Sequence, residues 1–206
     1  MRDRLAHIIS FVFHPLLMPS YLFLFIIVFA STMMQPLQKD SLLQVLSIIF
    51  IVTFIIPAIS IGTLRLSNFI TDLKLKDRKQ RVTPFLFVTC FYGITAYMFY
   101  AKLNNNNIIF LIFATTTVLL LTLTIITYFW KISIHGAGIG GAIGYILALS
   151  LAFYIPYFAI YFALLIIIAG LIAYARLSIN AHTPLQVYAG LILGIILCYF
   201  SLYLFL

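Results

Sequence analysis

Seven apolar stretches, each of about 20 residues, account for most of this 206-residue chain. That length is enough for a helix to cross the hydrocarbon core of a bilayer. Because backbone polar groups find no water there, each crossing segment must satisfy its own hydrogen bonds as a helix. The sequence therefore predicts an all-α bundle of six or seven transmembrane helices. The expected helices cover residues 8–31, 42–63, 84–101, 107–129, 136–154, 157–175 and 184–206.

The composition excludes a separate soluble domain. Only 8% of the residues are charged and 65% are hydrophobic, whereas soluble domains are about 25% charged. We expect a single membrane domain over residues 1–206. The first apolar stretch is too long for a cleaved signal peptide, so we expect it to remain as a helix.

Proline residues and one amphipathic stripe predict three local features. Pro15 and Pro19 predict a kink in the first helix. Pro156, among aromatic residues, predicts the break between the fifth and sixth helices. Between the second and third helices, apolar residues recur at helical spacing, which indicates either an amphipathic helix in the membrane interface or a solvated loop. The stripe consists of Leu66, Phe69, Ile70 and Leu73.

The positive charges predict the orientation of the chain. If the expected helices alternate across the bilayer, ten of the twelve Lys and Arg residues lie on one side, and only Lys39 and Lys102 lie on the other. Positive residues favour the cytoplasm. We therefore expect the basic face to be cytoplasmic and the protein to reside in a bacterial inner membrane.

Acidic residues are scarce, which excludes several kinds of chemistry. The chain has no Glu, and its four Asp residues are scattered outside the apolar segments. This scarcity argues against a metal site built from hard oxygen ligands and against a proton relay through intramembrane acids. We therefore expect no cofactor and no metal. We also expect no nucleic-acid partner, because most of the cations border apolar segments. Cys90 and Cys198 lie inside apolar segments and indicate no disulfide framework.

Small residues predict close contact between the fifth and seventh helices. Gly136, Gly140 and Gly144 lie four residues apart in the fifth helix, and Gly190 and Gly194 repeat this spacing in the seventh. Such spacing lets helix backbones approach each other closely. Packing of this kind would bring the N-termini of the two helices together.

Three polar clusters, at residues 74–81, 133–135 and 176–182, interrupt the apolar sequence. Each follows an even-numbered helix, so all three are predicted on the same side of the membrane. The third, fifth and seventh helices begin there, and the third and seventh are expected to begin at Thr83-Pro84 and Thr183-Pro184. Helix N-termini with cations beside them bind anions, so the three clusters predict a phosphate site.

The order and spacing of the clusters resemble those of the type 2 phosphatidic acid phosphatase and vanadium haloperoxidase superfamily. Lys74 and Arg81 stand seven apart, Ser133 precedes His135 by two, and Arg176 precedes His182 by six. The resemblance covers roughly residues 64–195. It implies that Lys74, Arg81, Ser133 and Arg176 bind the phosphate oxygens without a metal. It also implies that His182 attacks phosphorus, giving a phosphohistidine, and that His135 protonates the leaving group.

The chain departs from the superfamily pattern at several positions. Gln186 stands where the superfamily has an aspartate that orients the nucleophilic histidine, and a Gln carbonyl can orient the ring without supplying charge. Ile132 and Ile134 replace a proline and a glycine, and Ala175 replaces a serine. The proline after Arg81 is displaced to position 84.

Three functions stay open at this stage. The first is an integral-membrane lipid phosphatase acting on a phosphomonoester or a polyprenyl diphosphate, with membrane lipids as its surroundings. The second is a catalytically inactive relative that binds or moves anionic lipids. The third is an unrelated transporter or scaffold whose basic loops only set its orientation. The sequence does not identify the substrate or the oligomeric state.

Overall fold

The computed structural model describes residues 2–35, 37–71, 79–103 and 108–205. Within these residues the chain is helical and contains no strand, as the apolar stretches predict. Seven segments are long and apolar enough to cross a membrane. These segments are Asp3–Phe29, Lys39–Leu66, Gln80–Leu103, Ile108–Phe129, Ile134–Ala152, Phe158–Ser178 and Pro184–Tyr203.

The crossing segments contain nine α-helices, because the first two segments are each interrupted. In chain order the helices are α1 Arg2–Val12, α2 Met18–Phe29, α3 Leu42–Phe50, α4 Ile56–Leu66, α5 Lys79–Leu103, α6 Ile108–Phe129, α7 Ile134–Ala152, α8 Phe158–Ser178 and α9 Pro184–Tyr203. A turn of π-helix, Ile51–Ile55, joins α3 to α4, and a turn of 3₁₀-helix, Pro15–Leu17, lies between α1 and α2.

The predicted interruption of the first helix is confirmed, and Pro15 accounts for it. Proline disfavours the helical conformation in the residue before it, and His14 is extended, with φ −66° and ψ 138°. The α-helix consequently ends at Val12. The predicted break between the fifth and sixth helices is also confirmed, because α7 ends at Ala152 and Tyr157 adopts a left-handed φ of 56° before α8 begins.

The connection after α4 differs from the expected amphipathic helix over the part that is described. Residues 67–71 form turns, and Asn68 adopts a left-handed φ of 59°, a conformation that ends a helix. Leu66 and Phe69 are exposed while Ile70 is buried, so these residues do not share one face. Leu73 lies outside the described residues.

The predicted start of the third helix at Thr83-Pro84 is wrong. The helix α5 begins at Lys79, and Pro84 lies inside it. The side-chain carbonyl of Gln80 accepts hydrogen bonds from the backbone N–H and the hydroxyl of Thr71, at 2.8 and 2.9 Å. These bonds hold the additional turn in place before the proline.

The described chain divides into two compact units. The first comprises residues 1–18 and 132–206, and the second comprises residues 19–131. In the second unit, α5 packs along α6, and Phe113 of α6 stacks on Phe99 and on Phe23, with ring centroids 5.7 and 5.8 Å apart. The first unit contains α1, α7, α8 and α9, together with the 3₁₀ turn.

In the first unit, α7 and α9 are parallel and touch along their backbones, which confirms the contact predicted from the small residues. A Cβ atom on Gly136 would lie 2.6 Å from the carbonyl oxygen of Val187, and one on Gly144 would lie 2.6 Å from that of Ile195. Cβ atoms on Gly190 and Gly194 would overlap carbonyl oxygens of the facing helix. The glycines therefore bring the N-termini of α7 and α9 side by side.

Candidate functional site

The start of α7 is fixed by Ser133, one of the expected phosphate ligands. Its side chain is fully buried, and its Oγ accepts a hydrogen bond from the N–H of Gly136 at 3.2 Å. Ser133 is therefore the N-cap of α7, because it satisfies one of the donors that the first turn of a helix leaves unpaired. If Ser133 also binds phosphate, as the sequence predicts, its hydroxyl must donate its hydrogen to a phosphate oxygen.

The starts of α7 and α9 are joined directly. The backbone N–H of Ser133 donates to the carbonyl of Gln186 at 3.1 Å. Neither helix has an acidic residue in its first turn. Two parallel N-termini, with positive partial charges and no acidic residue in either first turn, form an electropositive end that favours an anion.

A rigid turn joins α8 to α9 and carries His182. Asn180 adopts a left-handed φ of 51°, while the N–H of Ala181 bonds to the carbonyl of Arg176 at 3.1 Å and that of Asn180 to the carbonyl of Leu177 at 3.0 Å. This is a Schellman motif with asparagine in the place usually taken by glycine. The motif fixes the backbone between Arg176 and His182.

The predicted start of α9 at Thr183-Pro184 is confirmed, and it forms a capping box. The hydroxyl oxygen of Thr183 accepts from the N–H of Gln186 at 3.4 Å, and the side-chain oxygen of Gln186 accepts from the N–H of Thr183 at 3.2 Å. Pro184 occupies the first helical position, where a backbone N–H is not needed. The turn is therefore ordered on both sides of His182.

The ring of His182 is oriented by the same oxygen of Gln186. Its Nδ1 atom lies 3.1 Å from Oε1 of Gln186. Because Oε1 already accepts the N–H of Thr183, that atom is the amide oxygen and not the nitrogen. An oxygen can only accept, so Nδ1 carries the hydrogen and Nε2 of a neutral His182 carries the lone pair. His182 is 8% exposed, so this ring is held in a nearly buried site.

His135 and Arg176 meet at Ser10 of α1. The Nε2 atom of His135 lies 3.1 Å from the carbonyl oxygen of Ser10, which requires Nε2 to be the donor. The Nη1 atom of Arg176 donates to the hydroxyl of the same serine at 3.4 Å. His182 is linked to the same group through Gln186, whose main-chain carbonyl accepts the N–H of Ser133, two residues before His135. The structure thus brings together His135, Arg176, Ser133, His182 and Gln186 in one unit.

A third histidine, His14, completes this group. Its ring lies edge-on to the ring of His135, with centroids 5.6 Å apart. Its Nδ1 accepts a hydrogen bond from the N–H of Leu16 at 3.3 Å and so caps the 3₁₀ turn. Neither Ser10 nor His14 was predicted as a site residue. The signal that could have found them is the His14-Pro15 break in the first apolar segment, because an interrupted helix exposes backbone groups.

The remaining two expected phosphate ligands are Arg81 and Lys74. Arg81 lies in α5, in the second unit, and is 5% exposed. Lys74 lies outside the described residues. Ile134, which replaces a glycine of the superfamily pattern, is the first residue of α7 and is partly buried.

The group suits anion binding and proton transfer. Across the described ranges, no set of three or more His, Cys, Asp and Glu side chains could hold a metal ion. Residues 4–18 and 132–206 contain no Asp or Glu in their sequence. The neutral His182 carries its lone pair on Nε2, and His135 donates its Nε2 hydrogen to Ser10. Both histidines lie at helix N-termini, in the unit that also contains Arg176. Comparisons with protein families, curated proteins and solved structures found no match to this chain.

Proposed function

We propose that the protein is an integral-membrane phosphatase that hydrolyses a lipid phosphomonoester or a polyprenyl diphosphate through a phosphohistidine on His182. The observation that carries this proposal is the hydrogen bond from Nδ1 of His182 to Oε1 of Gln186. It puts the hydrogen of the neutral ring on Nδ1 and the lone pair on Nε2, the atom that would attack phosphorus. The seven membrane-spanning segments support an apolar substrate.

Hydrolysis would proceed in two steps. In the first, Nε2 of His182 forms a bond to phosphorus while the bond from phosphorus to the leaving oxygen breaks. A doubly protonated His135, whose Nε2–H stays bonded to the Ser10 carbonyl, gives its Nδ1 proton to that oxygen and becomes neutral. In the second, His135 takes a proton from water, whose oxygen attacks phosphorus and releases His182 with inorganic phosphate. Arg176 and the N-termini of α7 and α9 would stabilise the equatorial oxygens in both steps.

Gln186 makes the proposed reaction slower than it would be with a carboxylate. When the aspartate of the serine-protease triad is changed to asparagine, the rate falls about 10⁴-fold, because the histidine then adopts the wrong tautomer. Here the N–H of Thr183 holds the amide with its oxygen toward His182, so the correct tautomer is kept. What Gln186 lacks is the negative charge that would stabilise the imidazolium formed during catalysis.

The head group of the substrate would bind at the electropositive end of α7 and α9, and the tail of the substrate would lie among lipid-facing helices. That Lys74 and Arg81 also bind the phosphate stays a prediction from the sequence. The excess of Lys and Arg on this face supports a cytoplasmic site in a bacterial inner membrane. The phosphomonoester and the diphosphate share the terminal phosphoryl group that the site would bind.

A second candidate is a catalytically inactive protein that binds or moves anionic lipids, and the neutral side chain of Gln186 favours it.

Phosphate release decides between the two. Purified protein in mixed micelles, with a chelator present, would be assayed with phosphatidic acid and with a polyprenyl diphosphate. We expect the wild type and a His7→Ala control, at an exposed position of α1, to release phosphate, and His182→Ala to release none. Equal release by wild type and His182→Ala would end the phosphatase proposal, while lipid binding without release would support the second candidate.

A further inference from the structure

The carbonyl of Ser10 is released from α1 by the break at His14-Pro15. In an uninterrupted helix this carbonyl would accept the N–H of His14, four residues later. The N–H of His14 bonds instead to the carbonyl of Phe11 at 3.2 Å, and that of Phe13 to the carbonyl of Ile9 at 2.9 Å. Pro15 has no N–H to donate. Ser10 therefore presents an acceptor that the helix does not use.

His135 donates a hydrogen bond to this carbonyl. Its Nε2 atom lies 3.1 Å from the Ser10 carbonyl, across 125 residues of sequence. A carbonyl can only accept, so the bond selects the tautomer of His135 that carries its hydrogen on Nε2. A buried main-chain carbonyl within a helical segment must find a donor, and the histidine ring supplies it.

Ser10 also contacts the guanidinium of the same group. Its hydroxyl oxygen accepts from Nη1 of Arg176 at 3.4 Å, and Ser10 is 8% exposed. His14, at the break itself, lies edge-on to the ring of His135, with centroids 5.6 Å apart. One residue of α1 is thus bonded both to the expected proton donor and to an expected phosphate ligand.

We propose that the interrupted first helix is a positioning element of the site, in which the freed carbonyl of Ser10 sets the tautomer of His135 and its hydroxyl orients Arg176. Ser10 lies in none of the three polar clusters, so the site is incomplete without α1. The catalytic consequence rests on the proposed phosphatase function. The selection of the tautomer does not, and it can be measured separately.

The break has a specific catalytic consequence. Because the Ser10 carbonyl holds the hydrogen on Nε2 of His135, the proton that would pass to the leaving oxygen is the one on Nδ1 of the protonated ring. A leaving group of low pKa, such as nitrophenolate, departs without a proton, whereas an alkoxide needs one. Loss of the correct tautomer must therefore slow alkyl phosphates more than nitrophenyl phosphate. A general loss of folding or of phosphate binding would slow both substrates equally.

Proline variants test the selection of the tautomer. Pro15→Ala allows α1 to continue, so that the N–H of His14 claims the Ser10 carbonyl. Pro19→Ala is the matched control, because it removes a proline from the same membrane segment after the break. Nitrogen-15 spectra of histidine-labelled protein in nanodiscs, assigned through His135→Gln, report the tautomer. We expect the Nε2–H signature of His135 in wild type and Pro19→Ala, and a mixed signature in Pro15→Ala. The same spectrum for all three proteins would overturn the proposal.

Rates with two leaving groups test the catalytic consequence. We expect Pro15→Ala to lower kcat for an alkyl phosphate by about 10-fold to 100-fold more than for nitrophenyl phosphate, and Pro19→Ala to change neither. Equal losses on both substrates would overturn the link to the proton donor. If the wild type released no phosphate at all, the proposed function would fail, but the spectra would still decide whether α1 positions His135.

Ser10 variants provide a test that does not depend on Pro15→Ala folding. Ser10→Ala keeps the carbonyl and removes the hydroxyl. We expect an unchanged His135 spectrum, an increase in KM of about fivefold, and recovery in Ser10→Thr, which restores a hydroxyl. An unaltered KM in Ser10→Ala, or no recovery in Ser10→Thr, would overturn the part of the proposal that concerns Arg176.

Discussion

The Nδ1 atom of His182 donates to Oε1 of Gln186, 3.1 Å away, and the same oxygen caps the start of α9 by accepting the N–H of Thr183. One amide oxygen therefore orients a histidine and stabilises a helix. The orientation of the ring is thereby tied to the start of the helix. This is how a short polar turn between two membrane helices can present an ordered ring.

Gln186 variants separate orientation from charge. Gln186→Glu keeps the length of the side chain and its acceptor and adds the negative charge that the imidazolium lacks. We expect kcat to rise about tenfold, since one pKa unit of added stabilisation corresponds to that factor. Gln186→Leu removes the acceptor, and we expect it to abolish phosphate release. Steady-state kinetics on purified protein check both, and a Gln186→Glu rate at or below that of wild type would contradict the charge argument.

Arg176 tests the role of a planar cation. Arg176→Lys keeps the charge but loses the two parallel donors with which a guanidinium grips a phosphate. We expect KM to rise about tenfold in Arg176→Lys, and more in Arg176→Gln, through the loss of charge-assisted hydrogen bonds. The control is Arg65→Lys, at an exposed position of α4 in the other unit. Unchanged kinetics in Arg176→Gln would remove Arg176 from the site.

The contact between α7 and α9 predicts a large effect of a single methyl group. A Cβ atom on Gly140 would overlap the backbone carbonyl of Leu191, which cannot move aside as a flexible side chain would. We expect Gly140→Ala to lower the free energy of unfolding by about 1–3 kcal/mol. Gly170→Ala in α8 is the control, because no heavy atom lies within 4 Å of its added Cβ. Thermal unfolding in detergent measures both, and equal melting temperatures would contradict the close contact.

The predicted orientation is testable at the two ends of one membrane segment. Lys39 and Arg65 are exposed and lie near opposite ends of Lys39–Leu66, which spans roughly 40 Å as a helix. In a background with Cys90 and Cys198 replaced by alanine, a membrane-impermeant thiol reagent applied outside the cell should label Lys39→Cys and spare Arg65→Cys. The reverse pattern would place the basic face outside.

Two Thr-Pro pairs with the same predicted role behave differently, which shows where local rules stop being sufficient. Thr183-Pro184 begins α9, because Gln186 lies three residues after Thr183 and completes a capping box. Three residues after Thr83 stands Leu86, whose side chain offers no acceptor. There the helix extends back to Lys79, and Gln80 bonds to Thr71 instead. The difference was present in the sequence, but only as the identity of the third residue.

The prediction of an interfacial stripe shows a second limit. The spacing of Leu66, Phe69 and Ile70 fits a helix, yet the described part of this connection turns at Asn68. Ile70 is buried because the turn carries it inward, while Phe69 stays exposed. Periodicity over only a few residues is weaker than the preference of one asparagine for a left-handed backbone.

The sequence by itself determined the membrane helices, their breaks at proline and the glycine contact between α7 and α9. These features follow from local rules, because a helix in lipid satisfies its own hydrogen bonds and small residues every fourth position mark one face. Only the tertiary structure decided that Ser10 joins His135 and Arg176, across 125 and 166 residues. Such contacts depend on how separate helices pack, and the sequence near Ser10 carries no sign of the donors that reach it from α7 and α8.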